Sequence, residues 1–229
     1  MKGYGQFCPV AQALEILGER WTLLLVRELL EGSTRFVDLQ KGLPLMSRSV
    51  LAQRLRSLCD AGVVSRSGTS YGLTDAGREL APIVIACGNW GARWARRKLK
   101  SDDVDVGLLM WDIRRRVRLE AIPFEHVLVQ MDFRGAPRGK DRFYLHFKQK
   151  EVELCLTNPG LPVALHLTTT PKTMAEIWLG IVSFRDAMAA GSFRIEGPAK
   201  LARAFPSWLA LSVFAKGRAP AATTARALR

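Results

Sequence analysis

What this chain lacks narrows its function first. No uncharged apolar run reaches the ~20 residues needed to span a bilayer, and the N-terminus MKGYGQFCPVAQ has no apolar signal-peptide core. A soluble, cytoplasmic protein with no membrane partner is expected. Cysteine is sparse: Cys8, Cys59, Cys87 and Cys155 are scattered and form no CxxC pair, so neither a disulfide scaffold nor a zinc site is signalled. Histidine is sparser still. His126, His146 and His166 fall in or beside strand-like segments without HExxH or other metal-ligand spacing. GxSxG, GxGxxG and Walker-type loops are absent. The reading is therefore not an enzyme, with no metal and no cofactor.

Acidic residues are also outnumbered. There are 34 Lys and Arg against 21 Asp and Glu, a formal charge of +13, which points to a polyanionic partner. The excess is spread over the chain: 15 basic against 8 acidic residues in 1–100, and 19 against 13 in the remainder. Charge alone does not locate a binding surface, and general solubility is the competing account. A hydrophobic share of 48% supports real cores, and 229 residues accommodate two domains.

The informative stretch is residues 20–77. Cys8-Pro9 opens a first helix, with proline at the tolerated first-turn position and Val10, Ala13, Leu14 and Leu17 on one face. A second helix spans Arg20 to Leu30. Thr34 is placed to cap a short third helix carrying Phe36, Leu39 and Gln40. After the turn Leu43-Pro44-Leu45, Ser47 caps a fourth helix that stops at Gly62. Its Leu51, Leu55 and Leu58 share a core-facing side, and Ser49, Gln53, Arg56 and Asp60 form the opposite stripe. Short polar and long donor side chains on an exposed helix face suit reading of base edges in a major groove. Ser49, Gln53 and Arg56 are the base-reading candidates, with Ser47 and Arg48 at the helix start. Thr34, Arg35, Arg54 and Arg66 are the phosphate-positioning candidates. Arg54 lies close to the apolar side, where a structural ion pair competes with a phosphate contact.

Val63 to Leu73 read as a small hairpin wing around a Gly-containing turn. Thr74 caps a long fifth helix whose Leu80, Ile83, Val84, Cys87, Trp90, Gly91 and Trp94 form an apolar seam. That seam exceeds what one small domain buries, which marks a homodimer interface; packing on the second domain is the alternative. Beyond the acidic joint SDDVDV (101–106) come a helix near Gly107 to Arg118 and period-2 segments at 127–133, 143–147, 152–156 and 163–167. These predict an antiparallel sheet, followed by two helices, a strand at SFRIEG and a closing helix. The fold class is α+β: a winged helix-turn-helix over 1–100, an α/β sandwich over 105–215, and a flexible tail over 216–229.

CPVAQALEILGERWTLLLVRELLEGSTRFVDL, SRSVLAQRLRSLCDAGVV and YGLTDAGREL together resemble the HxlR family of winged-helix regulators, relatives of the MarR group, over about residues 7–95. The resemblance implies a homodimer built from the first and last helices of the module, through Val10, Leu14, Leu17, Ile83, Cys87, Trp90 and Trp94, on a pseudo-palindromic operator in double-stranded DNA. It also implies that Cys8 can serve oxidant or electrophile sensing. A helix N-terminus favours the thiolate; structural capping or packing is the competing role. The wing is shorter and less basic than the family's usual hairpin, which leaves Arg66 as its DNA contact. VALHLTTTPKTMAEIWLGIVSFRDAMAAGSFRIEGPAKLARAFPSWL (163–209) resembles the ending of the sterol-carrier-protein type 2-like fold. This implies a hydrophobic small-molecule effector lined by Ile177, Trp178, Ile181, Phe184 and Met188, although residues at helical spacing also make ordinary cores. The function read from the sequence is a sequence-specific transcriptional regulator. The alternative is a lipid or hydrophobic-ligand carrier with only non-specific DNA binding.

Overall fold

Two runs of differing hydrophobic period make two compact units, one within residues 3–95 and one within 99–215. The computed structural model describes residues 3–95, 99–100, 104–122, 126–148 and 151–215. The first half of the expected joint, 101–103, and the whole of the expected tail at 216–229 lie outside these. Among the described residues no helix is long and apolar enough to cross a membrane.

In the first unit, helices α1 (Pro9–Leu17), α2 (Thr22–Leu30), α3 (Phe36–Gly42) and α4 (Arg48–Asp60) precede strands β1 (Val64–Ser67) and β2 (Ser70–Leu73), then α5 (Asp75–Arg78) and α6 (Ala81–Trp94). Pro9 stands in the first turn of α1 with Cys8 as N-cap. Leu25, Val26, Leu39, Leu51, Leu55 and Leu58 form the core, with exposures of 0–2%. Each such side chain contributes roughly 1.5–3 kcal/mol by leaving water. Gly62, at φ 71, ends α4, with Val63 N–H donating to the Leu58 carbonyl at 2.9 Å in the manner of a left-handed helix cap. Gly68, at φ 58, supplies the positive φ of the two-residue hairpin loop.

Three expectations are corrected here. Thr34 does not cap α3; Arg35 holds the N-cap position without a side-chain bond. The reason is that Thr34–Arg35 is extended against the wing: Arg35 bridges Ser70, and Tyr71 N–H donates to the Thr34 carbonyl at 2.8 Å. The fifth helix is also broken. Thr74 caps α5 through Gly77 N–H, but α6 starts afresh at Ala81 with Pro82 in its first turn. Proline has no N–H and clashes with the carbonyl four residues back, here Arg78, so one helix cannot run through it.

The second unit starts with α7 (Val106–Arg115), capped by Asp105 onto Leu108 N–H at 2.9 Å, and a 3-10 turn at Leu119–Ala121. Strands β3 (His126–Phe133), β4 (Arg142–Lys148), β5 (Val152–Cys155), β6 (Leu165–Thr169) and β7 (Arg194–Glu196) form one sheet in the order β5-β4-β3-β6-β7. Helices α8 (Pro171–Trp178), α9 (Phe184–Ala189) and α10 (Ala199–Trp208) complete it. Val127, Val129, Met131, Phe133, Phe143, Leu145, Phe147, Leu165 and Leu167 share a core with side chains of α7, α8, α9 and α10, so these helices lie on one face. The third correction concerns the sheet itself, which is mixed. The chain after β5 does not add at that edge but crosses to the far side of β3, so β6 runs parallel to β3, with Val129 opposite Leu165.

Gly77 is a close-packing position: a Cβ there would lie 2.2 Å from the Val63 carbonyl oxygen, a backbone atom that cannot step aside. Gly77→Ala should therefore destabilise the first unit by about 1–3 kcal/mol, as other overpacking changes do. Gly72→Ala, whose nearest contact would be Ser65 Oγ at 3.6 Å, should be close to neutral. Urea unfolding of both variants checks this, and equal midpoints would contradict it.

Candidate nucleic-acid interface

Recognition by a helix requires one side bound to the protein and the other free. Leu51, Leu55 and Leu58 are buried and hold α4 to α2 and α3. That leaves Ser49, Gln53, Arg56 and Asp60 exposed along the opposite stripe. Ser47 caps the helix as expected, its Oγ accepting from Val50 N–H at 3.3 Å, and lies 3.1 Å from Ser49 Oγ. Arg48 is exposed, with its guanidinium 5.7 Å from the centre of the Phe36 ring.

The turn before α4 is held by a side chain whose role the sequence reading missed. Gln40 Nε2 donates to the carbonyls of Leu43, at 3.3 Å, and Met46, at 2.7 Å. It thereby ties both ends of the turn to the end of α3, adding to the Met46 N–H bond that the Leu43 carbonyl already accepts at 3.0 Å. A carboxamide shortly before a proline-containing turn is the available signal, and it is a weak one.

The phosphate candidates divide. Thr34 and Arg35 are exposed beside the wing, joined to β2 by backbone pairing. Arg66 is exposed, with Nε donating to the Gly68 carbonyl at 3.0 Å and its guanidinium 5.7 Å from the Tyr71 ring centre. Arg54 stands apart: its guanidinium is paired with Glu19 at 2.5 Å. This is the structural ion pair that competes with its phosphate assignment, with the side chain largely buried against the α1–α2 corner.

The other site residues fall as follows. Val10, Leu14, Ile83, Cys87, Trp90 and Trp94 are exposed and Leu17 is half-buried. Cys8 is half-buried and its thiol makes no capping hydrogen bond. The five effector residues are not gathered around one space. Ile177 and Trp178 belong to the packed core, Phe184 lies against it, and Ile181 and Met188 are exposed. They are separated because α8 ends at Trp178 and a turn through Gly180 carries Ile181 outward. The histidines share the sheet face opposite the helices. His126 Nδ1 and His146 Nε2 are 3.4 Å apart, and His146 Nδ1 is 3.5 Å from the Glu153 carboxylate.

A capped helix anchored by one apolar stripe, following a short helix and a tight turn and followed by a two-stranded wing, defines a winged helix-turn-helix DNA-binding module. The family model described as HxlR-like helix-turn-helix matches residues 16–99. The chain is 39% identical over 97 residues to the HTH-type transcriptional regulator YvaP of Bacillus subtilis, covering 39% of this chain and 90% of YvaP. It is 33% identical over 101 residues to the HTH-type regulator sll1512 of Synechocystis, covering 41% of this chain and 75% of that protein. Among solved structures, quinone-bound YodB from B. subtilis is 30% identical and covers 38% of this chain and all of that one, with a TM-score of 0.36. The chain belongs to the HxlR-like helix-turn-helix family and is a DNA-binding transcriptional regulator. The second unit lies outside the matched residues.

Replacing Gln53 with Ala should relax discrimination at one base pair, by roughly 1–3 kcal/mol. Replacing Arg35 with Ala should instead weaken every duplex alike and reduce the salt slope by about 0.9. Anisotropy titrations at several salt concentrations separate the two; an unchanged slope would remove Arg35 from the phosphate contacts.

Proposed function

We propose that the protein acts as a homodimer on a pseudo-palindromic operator, with two copies of α4 entering successive major grooves about 34 Å apart. The observation that carries this reading is the bare apolar surface of α1 and α6: Val10 is 65% exposed, Trp90 63% and Trp94 64%. Two tryptophans of α6 and the aliphatic Val10 and Leu14 of α1, left in water on a monomer, favour a second copy as cover. Ser49, Gln53 and Arg56 then read bases from the free stripe of α4, while Arg35, Thr34 and Arg66 position on the backbone. Arg48 and Ser47 work at the helix N-terminus, where backbone amides favour phosphate.

Titration of the purified protein against duplexes from beside its own gene, with a scrambled duplex in parallel, tests the reading. Wild type should prefer one site by ~10³-fold or more at physiological salt. Trp90→Glu should run as a monomer in light scattering and lose most of that affinity. A dimer that survives Trp90→Glu would move the interface elsewhere. Equal, salt-labile binding to every duplex, with a co-purifying apolar molecule, would favour the carrier reading.

Control is assigned to two places. The second unit is the sensor for a hydrophobic effector, which acts only by preferring one dimer geometry. Cys8 is the redox element, its thiol unoccupied by capping at the start of a dimer helix. Burial and then Asp60 push the Cys59 thiol above its ordinary range, and burial and then Glu153 do the same for Cys155. Iodoacetamide near neutral pH should therefore modify Cys8 well before Cys59 or Cys155, because the thiolate is the reacting form. Comparable rates at the three would remove Cys8 as the sensor.

A further inference from the structure

We propose that Glu19 is a positioning residue for DNA reading: through Arg54 it sets the rotation of the recognition helix α4 about its own axis. The proposal rests on the assignment of α4 to the major groove. The leucine stripe fixes one side of α4, but a stripe of apolar contacts tolerates small rotations more readily than a directional bond. On the flank toward α1 packing is less continuous, since a partly open cavity of ≈ 120 Å³ lies there, bordered by Ile16, Thr22, Ser57 and Leu58 among others. The Arg54–Glu19 pair lines the same cavity and joins groups 35 residues apart in the chain. Both side chains are largely withdrawn from water, at 18% and 25% exposure, so salt screens the pair less than it would a surface pair.

The anchor itself is held firmly. Glu19 sits in the corner between α1 and α2, where Trp21 adopts φ 78. A non-glycine residue stays in that region only when its surroundings over-determine it. Here the Trp21 ring packs on the core of the first unit, with the Arg20 guanidinium 4.9 Å from its centre. Glu19 is thus presented from a rigid corner. Arg54 Nε is buried without a hydrogen-bond partner among the described residues, so the guanidinium's hold on this corner runs through Nη2 and Glu19. Geometry shows why rotation matters. Side-chain tips at a radius of about 5–6 Å move about 2 Å when a helix turns by about 20°. Base-edge hydrogen bonds tolerate roughly 0.5 Å. Losing the pair should therefore damage sequence discrimination more than general affinity.

The test compares full-length wild type with Glu19→Gln, Arg54→Ala, the double variant and Glu15→Gln. Each is titrated against a duplex selected by the wild type and against a scrambled one, at several salt concentrations. Glu15 borders the same cavity and its carboxylate accepts from Tyr4 N–H at 2.7 Å, not from Arg54. Expected is a 5- to 100-fold fall in the specific-to-scrambled ratio for Glu19→Gln, with dimer mass and salt slope unchanged, as one or more base contacts leave register. Arg54→Ala should lose a similar factor, the double variant no more than the worse single, and Glu15→Gln nothing. A wild-type ratio in Glu19→Gln would overturn the proposal, as would single losses that multiply in the double variant. A salt slope that rises by about one in Glu19→Gln but not in the double variant would make Arg54 a masked phosphate contact, and also overturns it. Should Glu19→Gln unfold, Glu19→Asp, which keeps the charge and shortens the reach, should show the same selective loss. A wild type that does not discriminate between duplexes removes the DNA assignment itself, and the positioning role with it.

Discussion

The burial of three leucines is the constraint on which the DNA-binding unit depends. Leu51, Leu55 and Leu58 are withdrawn from water to 0–2% exposure, and because they recur at helical spacing they commit one side of α4 to the core. Everything useful on the opposite side follows from that commitment. Ser49, Gln53 and Arg56 are presented to solvent by the packing of residues they never touch. Ser47 and Gln40 then fix where the helix begins, one by capping it and the other by bonding the turn carbonyls.

The second unit applies the same division with period two. Alternate residues of β3, β4 and β6 enter the core with the helices, which sends the remainder to the other face. That is how His126 and His146, twenty residues apart, come within 3.4 Å on neighbouring strands. It also explains why the proposed effector residues part company. Ile177 and Trp178 lie on a helix whose inner side is core, whereas Ile181 comes after the helix has ended.

Local chemistry was legible wherever a residue acts on its own neighbours. Pro9, Ser47, Gly62 and Thr74 do in the folded chain what their types favour at helix ends, because capping involves atoms within a few residues. Thr34 shows the limit. It has the chemistry of a cap, but a backbone pairing with Tyr71 claims its strand-like conformation. Pro82 shows the converse: the apolar seam continues across it, while the helix cannot.

The sequence by itself determined the class of the protein, since spacing, caps and the turn around Pro44 specify a winged helix-turn-helix, and the residues of the exposed stripe follow from the buried one. Only the tertiary structure decided which basic side chains remain available. Arg54 and Arg56 are two positions apart on one helix and alike in chemistry, yet Arg54 meets Glu19 across the α1–α2 corner while Arg56 stays in solvent. The parallel pairing of β6 with β3 was decided in the same way. Both depend on contacts between residues far apart in the chain. No local propensity encodes such contacts, because their energy exists only once the intervening elements have packed.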